Sequence, residues 1–165
     1  MQVPPEEERF AKNAVIMAEA IYMGMKKLND EGHTDVNLPF IQLAIAMIKD
    51  FDRHDLIQGF IKNGHDQCWD KIKARDETFF VDNVTSIFAP LPMNMVIIFK
   101  DLFIAVDKQG KPIVSHDLKQ SIWQLFDAMI KIAIKYIHKQ RKTDISFFKE
   151  VQLHQHAATW QVQLL

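Results

Sequence analysis

The sequence predicts an all-α bundle of about six helices with a short C-terminal extension, and three observations carry that prediction. Apolar residues recur at steps of three and four along most of the chain, the spacing that gathers side chains on one helix face. One such run, from Ser115 to about Lys142, is long enough to be the central helix of a bundle. The breaks between runs are short and rich in Gly, Pro, Asn and Asp, which stop helices.

A first helix starts at Pro5, where proline opens a helix without losing a needed donor, and Glu6, Glu7 and Glu8 oppose the positive end of the dipole. Phe10, Ala14, Met17, Ile21, Met25 and Leu28 form its stripe, and Asn29-Asp30-Glu31-Gly32 ends it. A second helix follows Asp35 to Asn37, with Phe40, Leu43, Ala44, Met47, Ile48 and Phe51 assigned to one face. The third carries Leu56, Ile57, Phe60 and Ile61 and stops at Asn63-Gly64.

A fourth helix is expected from Asp66 toward Phe88, with Asp76 and Asn83 on the same face as Trp69, Ile72 and Phe79. Polar groups there need partners, so these two residues either sit at the stripe margin or hydrogen-bond a loop or cap, or Asp76 is a buried functional carboxylate. Pro90 and Pro92 end this helix. The run Met95 to Val106 reads as a well-buried central helix, with the β-branched Val96-Ile97-Ile98 leaving a strand open, and 108–112 is a turn. The long helix presents two apolar rows, one through Leu118, Ile122, Leu125, Met129, Ile132 and Tyr136, the other through Trp123, Phe126, Ile130, Ile134 and Ile137. Residues 1–143 form the bundle domain; 144–165 form the extension packed on it, as a strand or hairpin or as one more short helix.

With 165 residues, 48% of them hydrophobic and 25% charged, the chain has the apolar surface to build one core, and disorder is excluded. Twenty Lys and Arg against 21 Asp and Glu create no overall field for nucleic acid or an anionic membrane. The single Cys68 forms no internal disulfide, the N-terminus lacks the pattern of a signal peptide, and no apolar run approaches the ~20 residues a bilayer requires. An intracellular setting in cytoplasm, nucleus or virion is expected, without secretion and without a membrane partner.

Catalytic signals are sparse. His54-Asp55, His65-Asp66 and His116-Asp117 are the doublets that metal-dependent phosphohydrolases use to hold ions, but each also lies at an expected helix start, where Asp caps or meets the dipole. Asp50, Asp52, His54 and Asp55 lack the glycine and terminal glutamate of a calcium loop, and His154 and His156 have no second ligand pair. Cys68, one turn from His65, reads as a core residue beside Trp69 before it reads as a nucleophile. No catalytic residue, metal ligand or cofactor is assigned.

Lys131, Lys135, Lys139, Arg141 and Lys142 give the end of the long helix a basic strip that would contact phosphates or offset the helix dipole. Twelve Phe, eight Met and three Trp supply more apolar surface than single stripes require, which points to a homo-oligomer or a helical protein partner. Trp123, Tyr136 and Trp160 are the expected anchors, since large aromatics dominate interfaces when exposed.

The segments Cys68-Trp69-Asp70-Lys71-Ile72, Arg75-Asp76-Glu77-Thr78-Phe79-Phe80, Ile87 to Pro92, Phe99 to Phe103, Ser121 to Phe126 and Ile134 to His138 together resemble small helical proteins of large nucleocytoplasmic DNA viruses. The resemblance covers about residues 65–142. Such proteins carry no assigned enzymatic activity, so the resemblance implies an infected-cell or virion setting and supplies no catalytic residues. The expected function is therefore a non-enzymatic helical interaction or assembly protein acting through apolar helix faces. A nucleic-acid-associated protein using the basic strip is the first alternative, and a metal-dependent phosphohydrolase built on the His-Asp pairs the second.

Overall fold

The computed structural model of the chain describes residues 4–64 and 67–143, without the side chains of Gln67, Lys142 and Thr143. Among the described residues there are seven α-helices and no strand: α1 Pro5–Asp30, α2 Leu38–Asp50, α3 Arg53–Gly64, α4 Gln67–Lys73, α5 Glu77–Ile87, α6 Met93–Ile104 and α7 His116–Thr143. The only β-type pairing described is one isolated bridge, Val106 to Pro112, closing the turn expected at 108–112. The expected extension, 144–165, lies outside the described residues.

α1 and α7 form the spine. They run antiparallel, because Glu6 and Glu7 at the start of α1 meet Lys139 and Tyr136 near the end of α7, while Gly24 at the other end of α1 lies against Leu118. α2 folds back along α1, tied by Gln42 to Tyr22 and by Lys49 to Glu19. α3, α4 and α5 cover the remaining side of the spine, and α6 packs chiefly on α5.

Local chemistry explains most boundaries. α1 ends in a Schellman turn: Gly32 takes a left-handed φ of +78°, and its N–H and that of His33 donate back to Asn29 and Leu28. Asn37 caps α2 by accepting from the Phe40 N–H, and Ser115 caps α7 by accepting from Leu118. Gly59 in α3 allows close approach, since a Cβ there would stand 2.1 Å from Pro90 Cγ.

The expected fourth helix is two helices. Arg75 adopts φ +60°, and the N–H groups of Arg75 and Asp76 return to Ile72 and Lys71, so α4 closes with the same Schellman pattern but without glycine. Asp76 then caps α5 by accepting from the Phe79 N–H at 3.0 Å. It is a capping carboxylate, and the functional reading of it does not hold. The left-handed turn is held by its own side chain: Arg75 donates two bonds to Asp127 on α7, at 2.9 and 2.6 Å, with its guanidinium over the Trp123 ring.

α6 also departs from expectation. It buries Met95, Val96, Leu102 and Phe103 but leaves Met93 and Ile104 exposed, so it is a peripheral helix with one main neighbour rather than a central one. The core is aromatic at its centre, with Phe80 edge-on to Phe103, Trp123 and Phe126 at 5.0–5.4 Å between centroids.

Candidate functional site

The two expected aromatic anchors that the structure describes are in the core. Trp123 is 3% exposed, held edge-on to Phe80 and Phe103, and Tyr136 is 1% exposed. Neither is accessible to a partner in the monomer. The Trp123 row on α7 is buried throughout and the Tyr136 row is buried at Ile122, Met129 and Tyr136 and half-buried between them, because α7 has neighbours on both sides, α1 on one and α3 and α4 on the other. Trp160 lies outside the described residues.

Tyr136 is instead the hub of a polar cluster where three helix ends meet. Its hydroxyl donates to Glu7 Oε2 at 2.8 Å and accepts from Gln58 Nε2 at 3.2 Å. His54 Nδ1, carrying the proton, donates to the same Glu7 oxygen at 3.0 Å. Next to it Lys139 Nζ sits 2.8 Å from Glu6 Oε1, and Arg53 pairs with Glu8 at 2.8 Å. Glu6 and Glu7 are both buried, although a first-turn acidic triplet is ordinarily solvated. Burial raises the Tyr136 phenol well above its usual range, and its bond to the Glu7 carboxylate raises it further. Tyr136, Glu7, His54 and Gln58 satisfy one another, Lys139 neutralises the buried Glu6, and the cluster works as a clasp between the start of α1, the start of α3 and the end of α7.

The His-Asp doublets do not converge. His54 belongs to the clasp, and Asp55 begins α3 with its N–H donated to Asp52 Oδ1. His116 and Asp117 open α7, about 30 Å from Tyr136 at 1.5 Å per residue, so no ion reaches both doublets. His65-Asp66, His154 and His156 lie outside the described residues. Among the described residues no group of three or more His, Cys, Asp or Glu side chains is placed to hold a metal. Cys68 is buried, and desolvation pushes its thiol up to about 11, which disfavours the thiolate a nucleophile requires.

The basic strip is present in part. Lys131, Lys135 and Lys139 are exposed on one line of α7, but Lys139 is engaged by Glu6. Arg141 is exposed, and the Lys142 side chain is not described. No described helix is long and apolar enough to cross a membrane.

The most distinctive surface is one that periodicity alone assigned to the core. α2 buries Ile41, Ala44, Ile45 and Ile48. Phe40, Leu43 and Met47, placed with them by spacing, are 47%, 57% and 44% exposed. Pro39 and Ala46 are exposed beside them, and Gln42 is the only polar residue between Leu38 and Ile48. As far as Ile48, α2 is thus apolar on its outer side as well as its inner one, yet covered on one side only. Ile48 also lines a half-open cavity of about 80 Å³, bounded by Ala18 of α1, Val84 of α5, Phe99 and Lys100 of α6, and Ile122 of α7. Its wall is apolar almost throughout, so Lys100 contributes its methylene stem, with the ammonium reaching toward water.

Comparison of the chain with protein-family models, with curated proteins and with solved structures finds no match in any of the three.

Proposed function

We propose that the chain is a non-enzymatic helical interaction or assembly protein whose docking surface is the outer face of α2. The observation that carries this reading is the row Phe40, Leu43 and Met47, exposed on a helix with no charge before Lys49. A helix apolar on its outer side as well as its inner one belongs in an interior, and here half of that interior is missing. A protein partner supplies it, either another copy or a helix of another protein. The viral setting implied by the sequence resemblance belongs to the same proposal.

A photo-reactive side chain placed at position 43 tests it, with position 23 as control. Met23 is 61% exposed on α1, where the nearest exposed large apolar side chain on the same face, Ile16, lies about two turns away and Lys26 and Lys27 follow. Covalent adducts with protein at 43 and not at 23 are expected; equal or absent labelling would refute the proposal.

Nucleic-acid contact through α7 is a second reading, favoured by Lys131 and Lys135, exposed and without an ion-pair partner among the described residues. With Lys139 drawn to Glu6, two of the three aligned lysines are fully available, so phosphate binding would be weak and lost steeply with salt. A filter-binding titration at two salt concentrations decides it.

A further inference from the structure

The outer row of α2 and the cavity beside it belong to one patch. Gln42 and Lys49 occupy the flank of α2 tied to α1, through Tyr22 at 2.8 Å and Glu19 at 3.1 Å. At about 100° per residue, Phe40 and Met47 fall on the opposite flank, on the side of Ile48 where it lines the cavity, and Leu43 faces outward beside them. A ridge and a hollow therefore lie side by side, the condition a two-fold interface needs, because each copy must offer both complementary shapes.

The size of the hollow discriminates between occupants. A cavity of about 80 Å³ is far below the roughly 300–1,000 Å³ of small-molecule sites. It is also about half of the ~150 Å³ hole that accepts benzene. One aliphatic side chain fits it.

Charge selects which chain supplies that side chain. Lys100, on the α6 wall, has no ion-pair partner among the described residues. Asp50 continues the Leu43–Met47 row by one turn, is exposed, and likewise has no partner among them. It stands at the negative end of the α2 dipole, where a carboxylate is unfavourable unless a cation meets it.

We infer that this face binds a second copy of the chain through a two-fold interface, Met47 of each copy entering the other's hollow and Asp50 of each pairing with Lys100 of the other. The inference rests on the docking surface proposed above and names its partner. α2 is only about 20 Å long, so the paired patches fall at the low end of interface sizes and give a concentration-dependent dimer.

Light scattering of the full chain across a concentration series is the test. The expected mass rises toward twice the 19.2 kDa of one chain. Asp50→Lys and Lys100→Asp should each weaken association about tenfold, since each turns two rim attractions into repulsions, and the double exchange should restore it. Met47→Glu, at an exposed position, should abolish it without loss of helicity. A mass of 19.2 kDa maintained up to ~1 mM, or a dimer indifferent to the single substitutions or not recovered by the double one, would overturn the inference. Position 43 separates the two claims: if it labels another protein while the chain stays monomeric, the docking surface stands and the self-association falls; if it labels nothing, both fall.

Discussion

Removing one oxygen from Tyr136 should cost far more than its chemistry suggests. Tyr136→Phe keeps the buried ring and deletes the hydroxyl that donates to Glu7 at 2.8 Å and accepts from Gln58 at 3.2 Å. A bond to a charged group contributes about 1.5–3 kcal/mol, and here the acceptor is a carboxylate only 6% exposed. His54 still donates to the same oxygen at 3.0 Å, which limits the damage. A net loss of about 2 kcal/mol follows, or a Tm lower by roughly 4–8 °C for a domain of this size. Urea unfolding followed by circular dichroism measures it, with the m-value unchanged. The alkaline limb adds a second reading. Burial, then the bond to Glu7, holds the folded phenol above its unfolded value of about 10. Its contribution is therefore intact below pH ~10 and lost as pH rises through the folded value, because the unfolded state releases the proton first. Tyr136→Phe should flatten that loss. A variant within about 0.5 kcal/mol of the parent, with the same alkaline limb, would show that the clasp is not holding the three helix ends together.

Gly59→Ala should destabilise by about 1–3 kcal/mol despite the better helix propensity of alanine, because the new Cβ would lie 2.1 Å from Pro90 Cγ. Adding Pro90→Ala removes that ring carbon and should recover most of the loss in the same urea titration. Burial raises the Cys68 thiol to about 11 against an unfolded value near 8.5, so its share of stability is complete below pH ~8.5 and disappears as pH climbs through the folded value; Cys68→Ala should flatten the stability profile over that window. On α2, Met47→Glu should leave monomer stability within about 0.5 kcal/mol. Ile48→Ala, one residue on, should cost roughly 2–4 kcal/mol; equal effects in denaturation would mean that the two faces are not distinct.

The sequence pattern identified the bundle, the start of α1 at Pro5 and the long α7, because each is a local signal. It failed where the deciding contact is distant. Arg75 occupies a left-handed turn that local rules reserve for glycine, and the compensation comes from Asp127, 52 residues away. A capping Asp76 followed by Glu77 was the available clue to the new helix start, outweighed by the unbroken apolar row. The clasp was equally hidden: Glu6 and Glu7 read as solvated dipole partners until α3 and α7 close over them.

The mistakes about α2 and α7 are the same mistake with opposite sign. Periodicity reports how wide an apolar arc is, while the number of neighbouring helices decides how much of it is covered. α7 has a wide arc and sits among α1, α3 and α4, so Trp123 and Tyr136, which looked like surplus, are consumed by the core. α2 has a wide arc and one main neighbour, α1, so Phe40, Leu43 and Met47, which looked like core, are left over. Part of the apolar excess in the composition therefore stays exposed, and it lies on the edge helix. On the docking surface proposed above, the partner is the neighbour that α2 lacks within the chain, and it must treat Leu43 and Met47 as interior residues.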